Sequence, residues 1–269
     1  MNKKSILIIV IALTINVFTS CKEDSPVTTV SGIRNSLGFG TNDEEIVALF
    51  RVCSWHRWHS DIVDSPEGFG PPYVLSNNYC WAYISDGTWR FVDPNSITCN
   101  GNSMKRLETG QYEYHSNIGH LSEIEWYIED ILGYKYYVKD KNLSKIEFIN
   151  FNNDDTLEIN DEIFVEYTGN LGDVEGVFVS VYISYYEDGS YTTRKFFDHT
   201  QFYPNTGKIV ITREELEPVL LTIDKSRIAG GYIELKHIKY EEENHNGKLI
   251  GKLFETSMLN WFYLKFSSN

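Results

Sequence analysis

Beyond Lys141 the apolar residues recur at every second position, and this alternation restricts the C-terminal half to β-sheet. Ile163/Val165/Tyr167 and Val177/Val179/Val181/Ile183/Tyr185 each build one apolar face, as half-buried strands do. Further strands are predicted over 145–151, 191–198, 207–212, 219–224, 230–240, 248–255 and 258–266, between Gly, Asn and Asp turns. Strands at such short intervals predict two packed sheets over 144–269. No repeat at a period of roughly 20–50 residues is present, which argues against a solenoid or propeller.

The N-terminal half has a different pattern. Ile46, Leu49, Phe50 and Cys53 follow the acidic run Asp43-Glu44-Glu45, and this spacing predicts a helix over 44–58. Pro66, Gly68, Gly70, Pro71 and Pro72 then impose irregular backbone. Tyr79–Ile84 and Thr88–Val92 are predicted strands joined at Ser85-Asp86-Gly87. Leu121, Ile124, Ile128, Ile131 and Leu132 lie on one helical stripe behind the capping box Ser122/Glu125 and before Gly133, so a helix is predicted over 123–132. A boundary is expected at 140–144. The fold class expected for the whole is α+β: a small mixed domain over 43–140 followed by an all-β sandwich of the immunoglobulin-like kind over 144–269.

The first residues carry an address. Lys3 and Lys4 precede an apolar run, Ser5 to Val17, which is too short for an ordinary membrane span. Val17-Phe18-Thr19-Ser20-Cys21 resembles the lipobox of bacterial lipoproteins, and Lys22-Glu23-Asp24 resembles the tag that sends such proteins to the cell surface. The resemblance implies a signal peptide over 1–20, lipidation at Cys21, a flexible tether over 21–42, and anchoring in the outer membrane facing outward. The outer membrane, reached through the lipid, is thus the first expected partner.

With 42% apolar and 14% aromatic residues, the chain has enough side chain to bury a core. Its formal net charge of -14 repels phosphate backbones and so excludes nucleic acid as an expected partner. Setting Cys21 aside leaves Cys53, Cys80 and Cys99, an odd number in a compartment that permits disulfides. At most one bridge can form among them, and its partners are open.

The stretch Tyr79-Cys80-Trp81-Ala82-Tyr83-Ile84-Ser85-Asp86-Gly87-Thr88-Trp89-Arg90-Phe91-Val92-Asp93-Pro94 resembles the second half of the transglutaminase-like domain of papain-type cysteine enzymes. Trp81, Gly87, Trp89, Val92, Asp93 and Pro94 match the pattern, and Gly119-His120-Leu121-Ser122-Glu123-Ile124-Glu125 is similar to a helix entry of bacterial members. The resemblance, spanning 79–132, implies a thiolate nucleophile, an imidazole proton shuttle and an orienting carboxylate. Asp93 takes the acid's position and Tyr79 stands where the histidine belongs. A phenol with a pKa near 10 is a poor shuttle at neutral pH. Cys53 falls too close to Tyr79 to serve as the family's nucleophile. A rearranged trio of Cys80, His115 and Asp93 is the set a thiol mechanism would use here.

Trp55-His56-Arg57-Trp58-His59 sets two imidazoles three apart, yet no second ligand pair accompanies them, so neither a metal nor any other cofactor is expected. Tyr182, Tyr185, Tyr186, Tyr191, Phe196, Phe197, Phe202 and Tyr203 are divided between sandwich core and edge, or offer glycan or protein contacts. Asp155-Thr156-Leu157 matches a short O-glycosylation acceptor. The expected function is therefore a surface lipoprotein with a non-catalytic role in binding or assembly at the cell envelope. Two alternatives accompany it: a thiol-dependent transglutaminase-like hydrolase or acyl transferase, and a glycan-binding accessory lipoprotein.

Overall fold

The computed structural model describes residues 46–59, 73–84, 92–117, 119–152, 155–158, 162–186, 194–220, 228–245 and 247–265. The expected signal peptide over 1–20, Cys21, the expected tether over 21–42, the turn at Ser85-Asp86-Gly87 and Trp89 lie outside the described residues. Strands in the N-terminal half are β1 (Ile46–His59), β2 (Tyr73–Ile84), β3 (Ser96–Cys99), β4 (Asn102–Ser103), β5 (Lys105–Arg106), β6 (Tyr112–Ser116), β7 (Glu123–Glu129) and β8 (Lys135–Lys141). The C-terminal half adds β9 (Glu147–Phe148), β10 (Asp155–Glu158), β11 (Ile163–Thr168), β12 (Gly176–Tyr186), β13 (Arg194–Pro204), β14 (Lys208–Ile211), α1 (Arg213–Leu220), β15 (Ile228–His245) and β16 (Lys248–Lys265).

Among the described residues the strands form three sheets. The largest runs β13-β12-β15-β16-β1-β2-β6-β5, with β10 added in parallel to β16. The others run β14-β11-β9 and β4-β3-β7-β8. The chain divides into two compact units. Unit 1 takes in the segment ending at Ser54, Asn77–Asn142 and Ile238–Glu255; unit 2 takes in Trp55–Ser76, Leu143–His237 and the segment beginning at Thr256. The chain passes between the units at five points, 54/55, 76/77, 142/143, 237/238 and 255/256.

The expected α+β class is overturned, because both units are built of sheet and α1, in unit 2, is the one helix among the described residues. The segment read as a helix over 44–58 is β1. Ala48, Phe50, Val52, Ser54 and His56 are buried while Arg51, Cys53, Trp55 and Arg57 are half-buried, which is a period of two. Apolar residues occur on both faces of this strand, and that masked the alternation. The segment read as a helix over 123–132 is β7, where Ile124, Trp126 and Ile128 point inward. Ile131 and Leu132, the rest of the supposed stripe, stand exposed in the turn to β8. That turn is closed by Asp130, whose Oδ1 accepts the N–H groups of Leu132 and Tyr134 (both 2.9 Å). Gly133 does stop the element, as a left-handed turn residue with φ 81°.

In unit 1 the core joins the two sheets through rings. Trp126 is fully buried, 4.9 Å from the Phe50 ring and 6.5 Å from that of Phe254. Burying an indole of about 200 Å² contributes about 5 kcal/mol before the entropy of ordering it. In unit 2 one core takes Val177, Val179, Val181 and Ile183 from β12, Ile163, Val165 and Tyr167 from β11, and Ile209 and Ile211 from β14. Two sheets sharing a core is the arrangement the alternation predicted.

Three predicted strands change. The segment 219–224 begins inside α1, which Thr212 caps: its Oγ1 accepts the Glu215 N–H (3.3 Å), and Glu215 Oε2 accepts the Thr212 N–H (2.6 Å). The strands expected over 248–255 and 258–266 are one continuous β16. The polar run Glu255-Thr256-Ser257, which reads as a break, is buried.

Candidate functional site

The register of β2 against β6 decides where the rearranged trio stands. Tyr79 pairs with His115, Cys80 with Tyr114 and Trp81 with Glu113. Neighbouring residues of a strand point to opposite faces. Cys80 therefore points inward, fully buried, whereas His115 is exposed on the outward face. Interaction with the neighbouring Cys99 thiol and burial both raise the Cys80 pKa, the reverse of what a nucleophile needs. Asp93 is exposed and accepts from Arg106 Nε and from Tyr112 Oη (2.8 Å), contacts that hold its carboxyl below the ordinary range. The structure thus separates thiol from imidazole and gives the carboxylate other partners.

Of the imidazole pair of 55–59, the His59 side chain lies outside the described residues. His56 is buried with Nδ1 2.8 Å from Ser76 Oγ. Among the described residues no group of three or more His, Cys, Asp or Glu side chains is placed to hold a metal ion. Thr156 of the short acceptor motif is exposed on β10.

What the outward face of unit 1 does assemble is a column of planar groups. Arg51 of β1 lies over the Trp81 ring at 5.0 Å. Trp81 stacks on Tyr79 at 5.5 Å and 9°, and Tyr79 on His115 at 4.5 Å and 11°. Alternation on β2 puts Tyr79 and Trp81 on one face, and the antiparallel register carries the column across to β6. Its inner end is an ion pair: Arg51 Nε donates to Glu255 Oε2 at 2.7 Å, with side-chain exposures of 14% and 1%. Burial is the largest influence and depresses the Arg51 pKa, but Glu255, Tyr83 and Cys53 together outweigh it, so the guanidinium stays charged. Along the side, the Trp81 indole N–H donates to Glu113 Oε2 (2.9 Å), and at the solvent end His115 Nε2 lies 3.4 Å from Asn77 Oδ1. Leu49, Tyr83 and Leu253 form a small apolar cluster on the same face, with Trp81 and Tyr240 packed against it.

Behind the column, a buried polar buckle fixes the backbone. Asn78 Oδ1 accepts from Ser54 Oγ (2.8 Å), and Asn78 Nδ2 donates to the carbonyls of Ser116 (3.2 Å) and Gly119 (2.6 Å). Asn142 Nδ2 donates to Ser54 Oγ (2.9 Å) and to the Leu121 carbonyl (2.8 Å). The segment between β6 and β7 is thereby tied to β1 and β2, and a fully paired buried network holds one arrangement. Sequence reasoning missed Arg51, Asn78 and Glu113. Asn78 follows Ser76-Asn77 and precedes the strand predicted from Tyr79, so its role, like those of the other two, depends on pairing across strands.

The column can contact a ligand in a preset geometry, since stacked rings lose little freedom on binding, and acceptors and donors line its flank. Nucleophile, base and orienting acid are not brought together on it.

No family model and no curated protein matches this chain. Among solved structures, the chain is similar to a Bacteroides ovatus protein, mixed-linkage glucan utilization locus SGBP-B in complex with mixed-linkage heptasaccharide. Identity is 9%, the match covers 84% of this chain and 68% of that one, and the TM-score is 0.18. A superposition that loose carries no argument about fold or ligand.

Proposed function

We propose that this protein is a non-catalytic binding protein of the cell envelope, anchored by lipid at Cys21 on the outer face of the outer membrane, and that it captures a neutral saccharide on the outward face of unit 1. The observation that carries the reading is the Arg51–Trp81–Tyr79–His115 column. A sugar ring offers C–H faces for aromatic contact and hydroxyls for hydrogen bonding, and the column supplies both kinds of partner side by side. Glu113 and Asn77 flank the rings, and His115 is exposed at the end. The net charge of -14 disfavours anionic polymers and so favours an uncharged ligand. No helix among the described residues is long and apolar enough to cross a membrane, and the anchoring proposal needs none.

Acyl transfer is the weaker reading. It requires an activated thiolate beside an imidazole, and Cys80 and His115 face opposite ways. The test is affinity electrophoresis through gels containing neutral glucans, mannans or xylans. Retardation by one of them, reduced in Trp81→Ala and in the exposed variant His115→Ala, is the expected result. Unretarded migration in every gel, or equal retardation of both variants and the wild type, contradicts the reading.

A further inference from the structure

The three cysteines with described positions are not equivalent. Cys80 on β2 and Cys99 on β3 are both fully buried and point into the core of unit 1 from its two sheets. Cys99 pairs in register with Trp126, whose ring reaches Phe50 on the opposite sheet, so Cys99 stands on the row that meets the other sheet. Both are free thiols in the structure, and Cys99 is the neighbour whose interaction raises the Cys80 pKa. Cys53 sits on the outward row of β1, two residues from Arg51, and is half-buried there. Sequence alone allows three pairings among these residues; the geometry selects one.

We propose that Cys80 and Cys99 are joined in an intramolecular disulfide that ties the two sheets of unit 1 together, formed by exchange with a protein disulfide donor. One cysteine, as thiolate, attacks a sulfur of the donor disulfide and releases the donor's other sulfur as thiolate. The second cysteine then attacks the mixed disulfide and expels the donor's remaining sulfur. Two protons leave the cysteines and two electrons pass to the donor, which departs as a dithiol. The folded environment holds the Cys80 thiol in its protonated form, so exchange is fast only before the sheets close. Once folded, the bond is shielded from external thiols. The consequence for the candidate site is direct, because Cys80 lies between Tyr79 and Trp81 and the cross-link anchors the strand that carries them.

The test is peptide mapping of the full chain, refolded from the reduced, denatured state in oxidised glutathione, then denatured and alkylated without reductant. The expected result is a peptide containing Cys80 linked to one containing Cys99, with Cys53 alkylated. Recovery of Cys80 and Cys99 both alkylated, or of Cys53 bridged to either, overturns the proposal. Closing a loop of roughly 20 residues predicts that the oxidised protein melts on the order of 5–10 °C above the reduced one. Equal melting temperatures would count against a cross-link in that position. Mapping uses the wild type and does not depend on a variant's folding. It is independent of any ligand, so a chain that binds no saccharide leaves this result untouched, and the reverse holds.

Discussion

Both units carry aromatic rings on an outward sheet face, and the rings are held differently. In unit 1 the column is ordered from its ends and flank by polar groups: the Arg51–Glu255 pair, the Glu113 carboxylate on the Trp81 N–H, and Asn77 beside His115. In unit 2 the rings meet one another directly. Tyr182 and Tyr232 are cross-strand partners stacked at 4.3 Å, Trp261 meets Tyr232 at 5.1 Å and 68°, and Phe178 packs on Phe202 at 5.0 Å. Polar pairs lie between the ring pairs, Ser180 with Thr200 at 2.8 Å and Lys236 with Glu234 at 3.6 Å. Cross-strand aromatic pairs stabilise any sheet. A column fixed by charged and hydrogen-bonding partners points to a contact surface instead.

The largest expected effect separates the two by stability. Glu255→Ala leaves the Arg51 guanidinium buried without its carboxylate and should cost about 3–5 kcal/mol in urea unfolding. Ser180→Ala in unit 2 removes a neutral hydroxyl pair and should cost about 1 kcal/mol. Equal losses would break the comparison.

The next effect belongs to unit 2 and depends on pH. Asn170 is oriented by Ser144, whose N–H donates to its Oδ1 (2.6 Å) and whose carbonyl accepts from its Nδ2 (2.8 Å), so the remaining Nδ2 hydrogen must go to His237 Nδ1 (3.1 Å). That bond needs a bare Nδ1 and hence a neutral imidazole. Burial lowers the His237 pKa to about 4, against an ordinary value near 6.5. Between these values the unfolded chain binds a proton that the folded chain refuses. Stability from this group is therefore complete above pH of about 6.5 and falls as the pH drops toward 4, by up to about 3 kcal/mol. Urea unfolding at a series of pH values should show this slope in the wild type and a shallower one in His237→Gln; identical slopes would remove His237 from the account.

Binding should divide the units as well. Trp81→Ala is expected to weaken saccharide affinity by about tenfold or more, as loss of an aromatic anchor does, and Trp261→Ala by less than about twofold. The reverse order in titration calorimetry would move the site to unit 2. The smallest effect is expected of Glu113→Gln, which keeps an acceptor on the Trp81 N–H and removes its charge: a change of about threefold or less in affinity.

The strands of unit 2 were legible because one face of each is buried and the other is not; β11 and β12 follow the alternation of Ile163/Val165/Tyr167 and Val177 through Ile183. In unit 1 Tyr79–Ile84 was legible as part of β2, but β1 was not, since it carries Leu49 and Phe50 fully buried on opposite faces. Two Ser/Thr-x-x-Glu sequences make the limit plain. Thr212/Glu215 caps α1, whereas at Ser122/Glu125 the Glu125 N–H is taken by Asn100 Oδ1 (2.7 Å) and its carboxylate by Lys139 (2.8 Å), with β7 paired on both sides. Local sequence offered the same cap twice, and sheet pairing decided between them. The aromatic members of the site stood in plain view at positions 79 and 81. Their partners Arg51, Glu113 and His115 come from other strands, and only register brings them in.

The central claim is that the unit 1 column meets the ligand, and the indole N–H resonances of the six tryptophans report on it directly. On titration of labelled protein with the retarding neutral saccharide, the Trp81 resonance should shift progressively while that of the core residue Trp126 stays in place. A shift confined to Trp261, or no indole shift at saturation, would contradict the account.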